Sequence, residues 1–544
     1  MKLAQAIGES LAALGVRRAF GVVGSGNFRV TEALRSCGAT FAAARHETAA
    51  VAMADGYAAL ADAVGMVTVH QGPGYTNAIT GMVEAAKSHS PILLLAADTP
   101  AAWTHSNFRI DQAAVAAAGG IAVVRLGAET AAADLARAWR SAAVERRATV
   151  LLMPLDVQEA EVGEGLDPLH VAPPPEPAAP SSEDVARTTA LVARARRPVI
   201  IAGRGALLAE ARTELETLGE RIGAPLATSV VAHGLFRGNP WNLGISGGFA
   251  TPLAADVVAR ADLVLAFGAS LNRWTTRHGR LIADGTRIVQ VDRDPGAIGV
   301  HQAVDAGMVA DVCLAAGALA AAMPERREGY RTAALAERIA AGAWRDQPFD
   351  DASTADTIDP RTLTVALDDL LPRERVVVVD GGHFSGWPAM YLEPPDERGF
   401  LFHQAYQSIG LGLGTAIGAA LARPDRTVVA ALGDGSAFMT LGELETAARL
   451  ALPMIVLVYN DDAYGAEVHH FADDGLALDT VRFGPTDLAA IGRAVGADGV
   501  TVRGLDDLAG IGSWLAGPRR RPLVVDAKVN PTVIGAWLPE AFRA

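Results

Sequence analysis

The sequence predicts an α/β protein made of three consecutive domains, each built on a parallel β-sheet. Its 544 residues are too many for a single hydrophobic core. Short apolar runs alternate with helix-length stretches along most of the chain, as expected for buried parallel strands joined by helices. A proline-rich stretch at 166–183 and a polar stretch at 350–359 divide this alternation into three blocks.

The composition excludes several classes of function. The net charge is −14, which argues against a nucleic-acid-binding surface. No apolar run approaches membrane-spanning length, and Glu9 interrupts the start of the chain, where a signal peptide would be apolar. Cys37 and Cys313 are the only cysteines, too few for a disulfide framework or a zinc site. We therefore expect a cytoplasmic enzyme that binds neither nucleic acid nor membrane.

The first block covers residues 1–165, the linker 166–183, the second block 184–345 and the third 360–544. The predicted strands are the apolar runs at 18–23, 63–69, 91–96, 121–126 and 149–153 in the first block, at 197–202, 261–268 and 287–292 in the second, and at 376–379, 427–432, 454–458 and 523–527 in the third. The first and third blocks look alike in layout.

The most informative segment begins with Gly433-Asp434-Gly435 and ends, 24 residues later, with Asn460-Asp461-Asp462. An apolar run precedes each of these loops, and a predicted helix at 437–450 separates them. A right-handed strand–helix–strand unit places both loops at the carboxyl edge of one sheet, where ligands of open α/β sheets bind. Carboxylates beside glycines suit a divalent cation that holds a diphosphate. The alternative is an ordinary strand–helix–strand unit with a glycine-rich turn.

This segment resembles the signature of thiamine-diphosphate (ThDP) enzymes, in which GDG is followed about 25 residues later by NN or ND. The resemblance implies that Asp434, Asp461 and the backbone carbonyl of Ala463 ligate Mg²⁺. The family usually has asparagine where this chain has Asp461. The same resemblance implies that the cofactor also contacts Gly433, Gly435, Ser436, Tyr464 and Gly465.

A second match lies in the first block, where Glu47 follows a predicted strand and opens an alanine-rich helix. It is similar to the pyrimidine-binding domain of the same family, in which a glutamate at this place activates the cofactor by proton transfer. The alternative is an ordinary charge in the first turn of a helix. Residues 71–77 resemble the family loop that covers the pyrimidine ring, which implies cofactor contacts for Gly72, Pro73 and Asn77. We expect Asn77 to cap the following helix.

A third match precedes the GDG strand, where Ile409 takes the place of the bulky apolar residue that wedges the cofactor into its bent form. Together the matches imply a pyrimidine-binding domain, a central Rossmann-like domain and a diphosphate- and Mg-binding domain. The resemblance also implies that each site is built from two subunits, and hence a homodimer or homotetramer.

The reaction is less clearly indicated, because the pocket motifs are mixed. The FQE element of acetolactate synthases reads Phe108-Arg109-Ile110-Asp111-Gln112 here, and the flavin-contacting pattern of the central domain is reduced, so we expect no FAD. Ser25 and His70 resemble pocket residues of benzoylformate decarboxylase, and histidine suits proton transfer near neutral pH. A loop histidine bonded only to backbone is the alternative for His70. Further candidates for the pocket are His278, His383, His469 and His470, whereas we expect structural roles for His46 and His89.

The sequence therefore predicts a ThDP- and Mg²⁺-dependent 2-oxo acid decarboxylase or carboligase. It would act through a ThDP ylide and an enamine, with Glu47 activating the cofactor and Ser25, His70 and Gln71 orienting the substrate carboxylate and moving protons. One alternative is an acetolactate synthase that joins two pyruvates, and another is a flavin-containing enzyme of the pyruvate oxidase type. A catalytically inactive partner subunit is the non-enzymatic alternative.

Overall fold

A computed structural model describes residues 1–323 and 326–542 of the chain. It contains three six-stranded sheets in which every strand pairing is parallel, each flanked by helices. The predicted fold class, three consecutive α/β domains, is confirmed. Within the described residues, no helix has both the length and the apolar character needed to cross a membrane.

The first domain has the strand order β2-β1-β3-β4-β6-β5. Its strands are Arg18–Gly21 (β1), Thr40–Ala43 (β2), Gly65–Val69 (β3), Ile92–Asp98 (β4), Ala122–Arg125 (β5) and Thr149–Pro154 (β6). Its helices are Leu3–Ala13 (α1), Phe28–Ser36 (α2), Glu47–Ala61 (α3), Pro73–Lys87 (α4), Gln112–Ala118 (α5), Ala131–Ala143 (α6) and Leu155–Gln158 (α7). β3, β4 and β6 are buried along their whole length, as their uninterrupted apolar sequences predict.

The central domain has the strand order β12-β11-β10-β7-β8-β9. Along the chain, strands are added first on one side of β7 and then, from β10 onward, on its other side, so the strand order reverses between β7 and β10. Its strands are Pro198–Ala202 (β7), Leu226–Thr228 (β8), Asn242–Ile245 (β9), Leu263–Phe267 (β10), Arg287–Asp292 (β11) and Ala306–Val309 (β12). Its helices are Ser182–Arg194 (α8), Arg204–Leu208 (α9), Arg212–Ile222 (α10), Pro252–Ala259 (α11), Val312–Ala322 (α12) and Ala333–Ala340 (α13).

The third domain repeats the topology of the first, with the order β14-β13-β15-β16-β18-β17. Its strands are Arg375–Val379 (β13), Phe400–Phe402 (β14), Thr427–Gly433 (β15), Ile455–Asn460 (β16), Asp498–Val502 (β17) and Leu523–Lys528 (β18). Its helices are Pro360–Leu370 (α14), Gly386–Tyr391 (α15), Gly412–Ala422 (α16), Asp434–Met439 (α17), Gly442–Arg449 (α18), Gly465–His470 (α19), Leu488–Ala494 (α20), Leu508–Ala516 (α21) and Leu538–Ala541 (α22).

The helix expected at 437–450 is wrong in its bounds, because the structure has two helices there. α17 begins at Asp434 itself and ends at Met439, and α18 begins at Gly442. Thr440 and Gly442 are both weak helix formers, which explains why the helix breaks between them. The break gives α18 its own amino terminus, close to the first domain.

The first and third domains pack through α3 and α16, which cross at very short distance. A Cβ atom at Gly418 would lie 1.9 Å from the carbonyl oxygen of Met53, and one at Gly414 would lie 2.9 Å from that of Ala49. Glycine is therefore required at these positions of α16. The alanine-rich face of α3 completes the close approach and fixes how the two domains are oriented.

Candidate active site

The Gly433-Asp434-Gly435 loop and the Asn460-Asp461-Asp462 loop lie side by side. β15 and β16 are neighbouring parallel strands with Gly433 opposite Tyr459, so Asp434 and Asp461 emerge at the same carboxyl edge. Burial, and then the facing Asp461 carboxyl, raise the pKa of Asp434 above its usual range. Burial likewise raises the pKa of Asp461. Two carboxyl groups buried side by side in this way form a natural site for a cation.

The oxygen donors of this pair fit Mg²⁺. Within the described residues, histidine, cysteine and carboxylate side chains form no cluster of three that could hold a metal ion. Any further protein ligand must therefore be a backbone carbonyl, a hydroxyl or a side-chain amide oxygen. Ala463 lines the same cavity as both aspartates, which suits the role predicted for its carbonyl.

A cavity of about 230 Å³ adjoins the two aspartates. The cofactor contacts predicted in the third domain line this cavity, namely Ile409, Gly433, Gly435, Ser436, Tyr464 and Gly465. A Cβ atom at Gly435 would lie 2.5 Å from the Tyr464 ring, so glycine is needed there. The backbone can consequently approach a diphosphate closely.

Glu47 begins α3 in the first domain, as predicted, and is largely buried. His46 precedes it as the N-cap residue, with its Nδ1 accepting the Thr48 N–H at 3.2 Å. The helix after the Gly72 loop starts at Pro73, so Asn77 lies inside α4 and the prediction that it caps this helix is wrong. Its side-chain amide instead donates to Glu47 Oε2 at 3.0 Å.

Ser25, His70 and Gln71 come together near this glutamate. His70 Nδ1 donates to the backbone carbonyl of Gln71 at 2.8 Å, which leaves Nε2 of the neutral ring as an acceptor. That Nε2 lies 3.3 Å from Ser25 Oγ. Gln71 is 3% exposed, and its Oε1 has no hydrogen-bond partner among the described residues. The three residues thus present a hydroxyl, an imidazole and an amide to the same region.

The other histidines considered in the sequence analysis lie in different parts of the structure. His383 lines the Asp434 cavity, where its Nε2 accepts the Gly535 N–H at 2.9 Å. Burial, together with the neighbouring His469, lowers the pKa of His383 to about 3, so its ring is neutral. His278 and His470 contact the end of the chain instead, through the Glu540 carbonyl at 2.7 Å and the Phe542 ring at 4.0 Å respectively. His89 has a left-handed backbone, with φ of 52°.

Two buried residues for which the sequence indicated no role, Gln112 and Asp380, hold the predicted cofactor loops. Gln112 Oε1 accepts the Gly72 N–H at 2.8 Å, and its Nε2 donates to Ala97 O at 2.9 Å. Asp380 accepts the N–H groups of Gly381 at 2.7 Å and Gly410 at 3.0 Å, next to Ile409. Burial raises the pKa of Asp380 to about 6. The only sequence signal for either residue was a polar side chain next to a predicted loop.

The predicted site residues form two groups within one chain. All the residues that line the Asp434 cavity belong to the third domain, from Pro360 to Val533. The first-domain group does not line it, and comprises Ser25, Glu47, His70, Gln71, Gly72, Pro73 and Asn77. The two groups are similarly placed in two domains of the same topology, each in loops that follow strands at the carboxyl edge of its sheet.

The chain matches three family models, which divide it in the same order as its sheets. Residues 1–115 match the thiamine pyrophosphate enzyme, N-terminal TPP binding domain, residues 185–319 match the central domain, and residues 380–527 match the C-terminal TPP binding domain. Thiamine pyrophosphate (TPP) is another name for ThDP.

Similar proteins have several different activities in their names. The acetolactate synthase large subunit of Parasynechococcus marenigrum is 30% identical over 84% of this chain and 76% of its own length. A sulfoacetaldehyde acetyltransferase of Castellaniella defragrans is 28% identical over 97% of this chain and 91% of its own. A protein of Pseudomonas aeruginosa named probable 2-ketoarginine decarboxylase is 31% identical over 93% of this chain and 90% of its own. With all three domains matched and relatives aligned over nearly its whole length, the chain belongs to the thiamine pyrophosphate enzymes.

Proposed function

We propose that the protein is a ThDP- and Mg²⁺-dependent enzyme that cleaves the C–C bond next to the carbonyl of a 2-oxo acid. It releases CO₂ and then either frees the acyl unit or joins it to an acceptor. The names of its relatives support this class, since they include a 2-oxo acid decarboxylase, an acetolactate synthase and an acetyltransferase.

The facing carboxylates of Asp434 and Asp461 are the observation that carries the proposal. Both are buried beside a glycine-lined cavity. Among the described residues, no lysine or arginine is one of the main groups that shift the pKa of either aspartate. In this site Asp434, Asp461 and the Ala463 carbonyl would hold Mg²⁺, and the backbone at Gly433, Gly435 and Gly465 would receive the diphosphate. ThDP, when bound, supplies the nucleophilic carbon and the electron sink for decarboxylation.

The active site is completed by a second copy of the chain. The third-domain cavity, at about 230 Å³, is smaller than the roughly 300–1,000 Å³ typical of sites for ligands of this size. The carboxylates among its lining residues are Asp434, Asp461 and Glu467, and Glu47 is not one of them. Apolar side chains are exposed beside both halves, with Phe108 at 44% in the first domain and Met439 at 53% in the third. Apposition of the two halves in a dimer would cover these side chains and enclose the cofactor.

Glu47 exchanges a proton with the pyrimidine ring in this scheme, and Asn77 holds its carboxylate in place through the 3.0 Å hydrogen bond. Ser25 and His70 bind the substrate carboxylate and carbonyl, and the Ser25 hydroxyl passes protons to and from His70 Nε2. The unpartnered Oε1 of Gln71 is available to a substrate hydroxyl or a bridging water.

The same geometry allows acetolactate synthesis, in which a second pyruvate is the acceptor. The acetolactate synthase relative favours this alternative. The two reactions are separated by incubation with pyruvate alone, followed by a colour test for acetoin after acidification. A positive test would replace simple decarboxylation by carboligation.

We expect no flavin in the central domain. The loops after β7 and β10 meet at the point where the strand order reverses, and they pack directly, with the Gly205 N–H donating to Gly268 O at 3.0 Å. Dinucleotides of open α/β sheets bind in the crevice at such a point. Flavin absorbance in the purified protein would instead support the pyruvate oxidase type.

A panel of 2-oxo acids tests the proposed class directly. Pyruvate, branched and aryl 2-oxo acids are incubated with the protein, ThDP and Mg²⁺, with and without an acceptor aldehyde, while CO₂ and products are measured. CO₂ release that requires both ThDP and Mg²⁺ is the expected result. No turnover of any member of the panel, in protein that binds ThDP, would contradict the proposal.

A further inference from the structure

Glu443, at the start of α18 in the third domain, binds the loop that carries Glu47 in the first domain. Its Oε1 accepts the backbone N–H of Arg45 at 2.9 Å and that of His46 at 3.0 Å. The Glu443 side chain is 1% exposed, and the two hydrogen bonds are partly buried. Glu47 follows directly and begins α3.

Glu84, in α4 of the first domain, makes the equivalent contact with the third domain. Its Oε1 accepts the N–H of Ala405 at 2.9 Å, and its Oε2 accepts that of Tyr406 at 2.7 Å. It is also 1% exposed, and Ser88 Oγ donates to Oε1 at 2.8 Å. The bound segment leads through Ile409 into α16.

These two contacts are related by the shared topology of the domains. In the first domain, α3 follows the edge strand β2 and α4 follows β3. In the third domain, α16 follows the equivalent edge strand β14, and the α17–α18 pair follows β15, which is equivalent to β3. In both cases a buried glutamate from the second element accepts two consecutive N–H groups just before the helix of the other domain. The loops fixed in this way are those of Glu47 and Ile409.

We propose that Glu84 and Glu443 are a reciprocal pair of positioning residues, each of which fixes, from one domain, a catalytic loop of the other. The proposal rests on the proposed function, in which the Glu47 loop of one chain and the Ile409 loop of its partner meet at one cofactor. Each glutamate then acts on the active site to which its own domain does not contribute. We call these two contacts clasps: Glu443 with the N–H groups of Arg45 and His46, and Glu84 with those of Ala405 and Tyr406. The clasps therefore connect the two active sites of a dimer through a single chain.

The energetics favour a positioning role. Removing either glutamate leaves two partly buried backbone N–H groups without their acceptor, which is unfavourable. The loops would relieve that cost by moving. A displacement of about 1 Å at a catalytic group can reduce turnover by roughly 100-fold.

The two glutamates differ in what a conservative substitution would do. Glu443 uses Oε1 for both N–H groups, so Glu443→Gln keeps the contact through its remaining oxygen. Glu84 uses both oxygens, so Glu84→Gln turns an amide NH₂ toward one of the donors. We expect Gln to rescue the function lost in Glu443→Ala, but not that lost in Glu84→Ala.

Mixed dimers locate the effect of each clasp. A Glu47→Gln chain is co-expressed with an Asp434→Asn chain under different affinity tags, and doubly tagged dimers are isolated. Their one intact site combines Glu47 of the Asp434→Asn chain with Asp434 of the Glu47→Gln chain. Glu443→Ala or Glu84→Ala is then added to one chain or the other.

The expected pattern is opposite for the two residues. Glu443→Ala should reduce turnover roughly 10- to 100-fold when it is added to the Asp434→Asn chain, and have little effect in the Glu47→Gln chain. Glu84→Ala should reduce turnover by a similar factor in the Glu47→Gln chain and have little effect in the Asp434→Asn chain. Equal losses in both placements, or the reverse pattern, would overturn the proposal.

Amide hydrogen exchange of the unmixed variants provides a test that does not depend on catalysis. Glu84→Ala should accelerate exchange at Ala405 and Tyr406 and leave Arg45 and His46 protected, whereas Glu443→Ala should do the opposite. Unchanged protection at these amides would refute the clasps. If the starting mixed dimer is inactive while exchange changes as expected, the shared active site is wrong and the clasps stand.

Discussion

The side-chain amide of Asn77 donates a 3.0 Å hydrogen bond to Oε2 of Glu47, across the gap between the starts of α3 and α4. Thirty residues separate the two in the chain. The bond fixes the orientation of the carboxylate and leaves Oε1 beside Gly74, where a Cβ atom would lie only 3.2 Å away. Because Gly74 has no side chain, it leaves one side of the Glu47 carboxyl group open. This is the group that is proposed to activate the cofactor.

Substitution of Glu47 by glutamine is expected to abolish activation of the cofactor with little effect on its binding. The amide oxygen can still accept from Asn77, so the loop keeps its structure, but the side chain can no longer exchange a proton. Turnover should fall by roughly 10²- to 10⁴-fold. Steady-state rates and calorimetric titration with ThDP measure the two effects, and Glu129→Gln, at an exposed position, is the control. Undiminished turnover would refute the role of Glu47.

Ser25 and His70 are expected to act as a unit. Ser25→Ala and His70→Ala should each lower turnover, and the double variant should lose less than the sum of the two losses. The coupling energy of a hydrogen bond between neutral groups is about 0.5–1.5 kcal/mol. A double-mutant cycle on kcat/KM measures it. Strict additivity would mean that the 3.3 Å contact has no part in catalysis.

Removal of the metal should destabilise the protein through Asp434 and Asp461. After chelation the two buried carboxyls face each other, and each has a raised pKa. Asp461→Asn removes one of the charges, so we expect the chelated variant to melt at a higher temperature than the chelated parent. Added Mg²⁺ should raise the melting temperature of the parent more than that of the variant.

Thermal melts with and without Mg²⁺ check this expectation, with the exposed Asp473→Asn as the control. A lower melting temperature for chelated Asp461→Asn than for the chelated parent would show that the two carboxyls do not repel each other.

A buried ion pair makes stability depend on pH. His403 Nδ1 lies 3.2 Å from Asp55 Oδ2, between the third and first domains. Burial opposes the charged form of His403, but the Asp55 carboxylate outweighs it and raises the pKa of the imidazole above 6.5. The stabilisation is therefore complete below the unfolded-state pKa and is lost as the pH rises through the folded-state pKa.

Melting temperatures across that range test the effect. The parent should lose stability as His403 deprotonates, and His403→Gln should show a flatter profile. His301→Gln, at an exposed position, serves as the control. A parent profile that remains unchanged in His403→Gln would exclude the ion pair as the cause.

The Mg²⁺ half of the site could be predicted from the sequence because parallel strands carry their loops to a common edge. The spacing between Asp434 and Asp461, with an apolar run before each, was sufficient to place them together. The longer buried strands were predicted for the same reason. β8, β9, β12 and β14 were missed because they have only three or four residues, and β17 because it begins with Asp498 and Gly499.

The contacts that hold the site could not be predicted from the sequence. Glu443 binds a backbone N–H group 398 residues away, and Glu84 binds one 321 residues away. Every residue except proline has a backbone N–H group, so the sequence does not show which of these groups either glutamate binds. The same applies to Gln112, whose amide fixes the Gly72 loop. The contacts of Glu443 and Glu84 depend on the packing of the first domain against the third, which only the folded chain shows.

The central claim is that one active site is assembled from the first domain of one chain and the third domain of another. Complementation of Glu47→Gln by Asp434→Asn tests it most directly, because each variant alone lacks an essential group in every site. We expect the two inactive proteins, co-expressed and isolated as mixed dimers, to regain up to half of the parental turnover per dimer. Mixed dimers that stay inactive, with both chains folded and bound to ThDP, would contradict it.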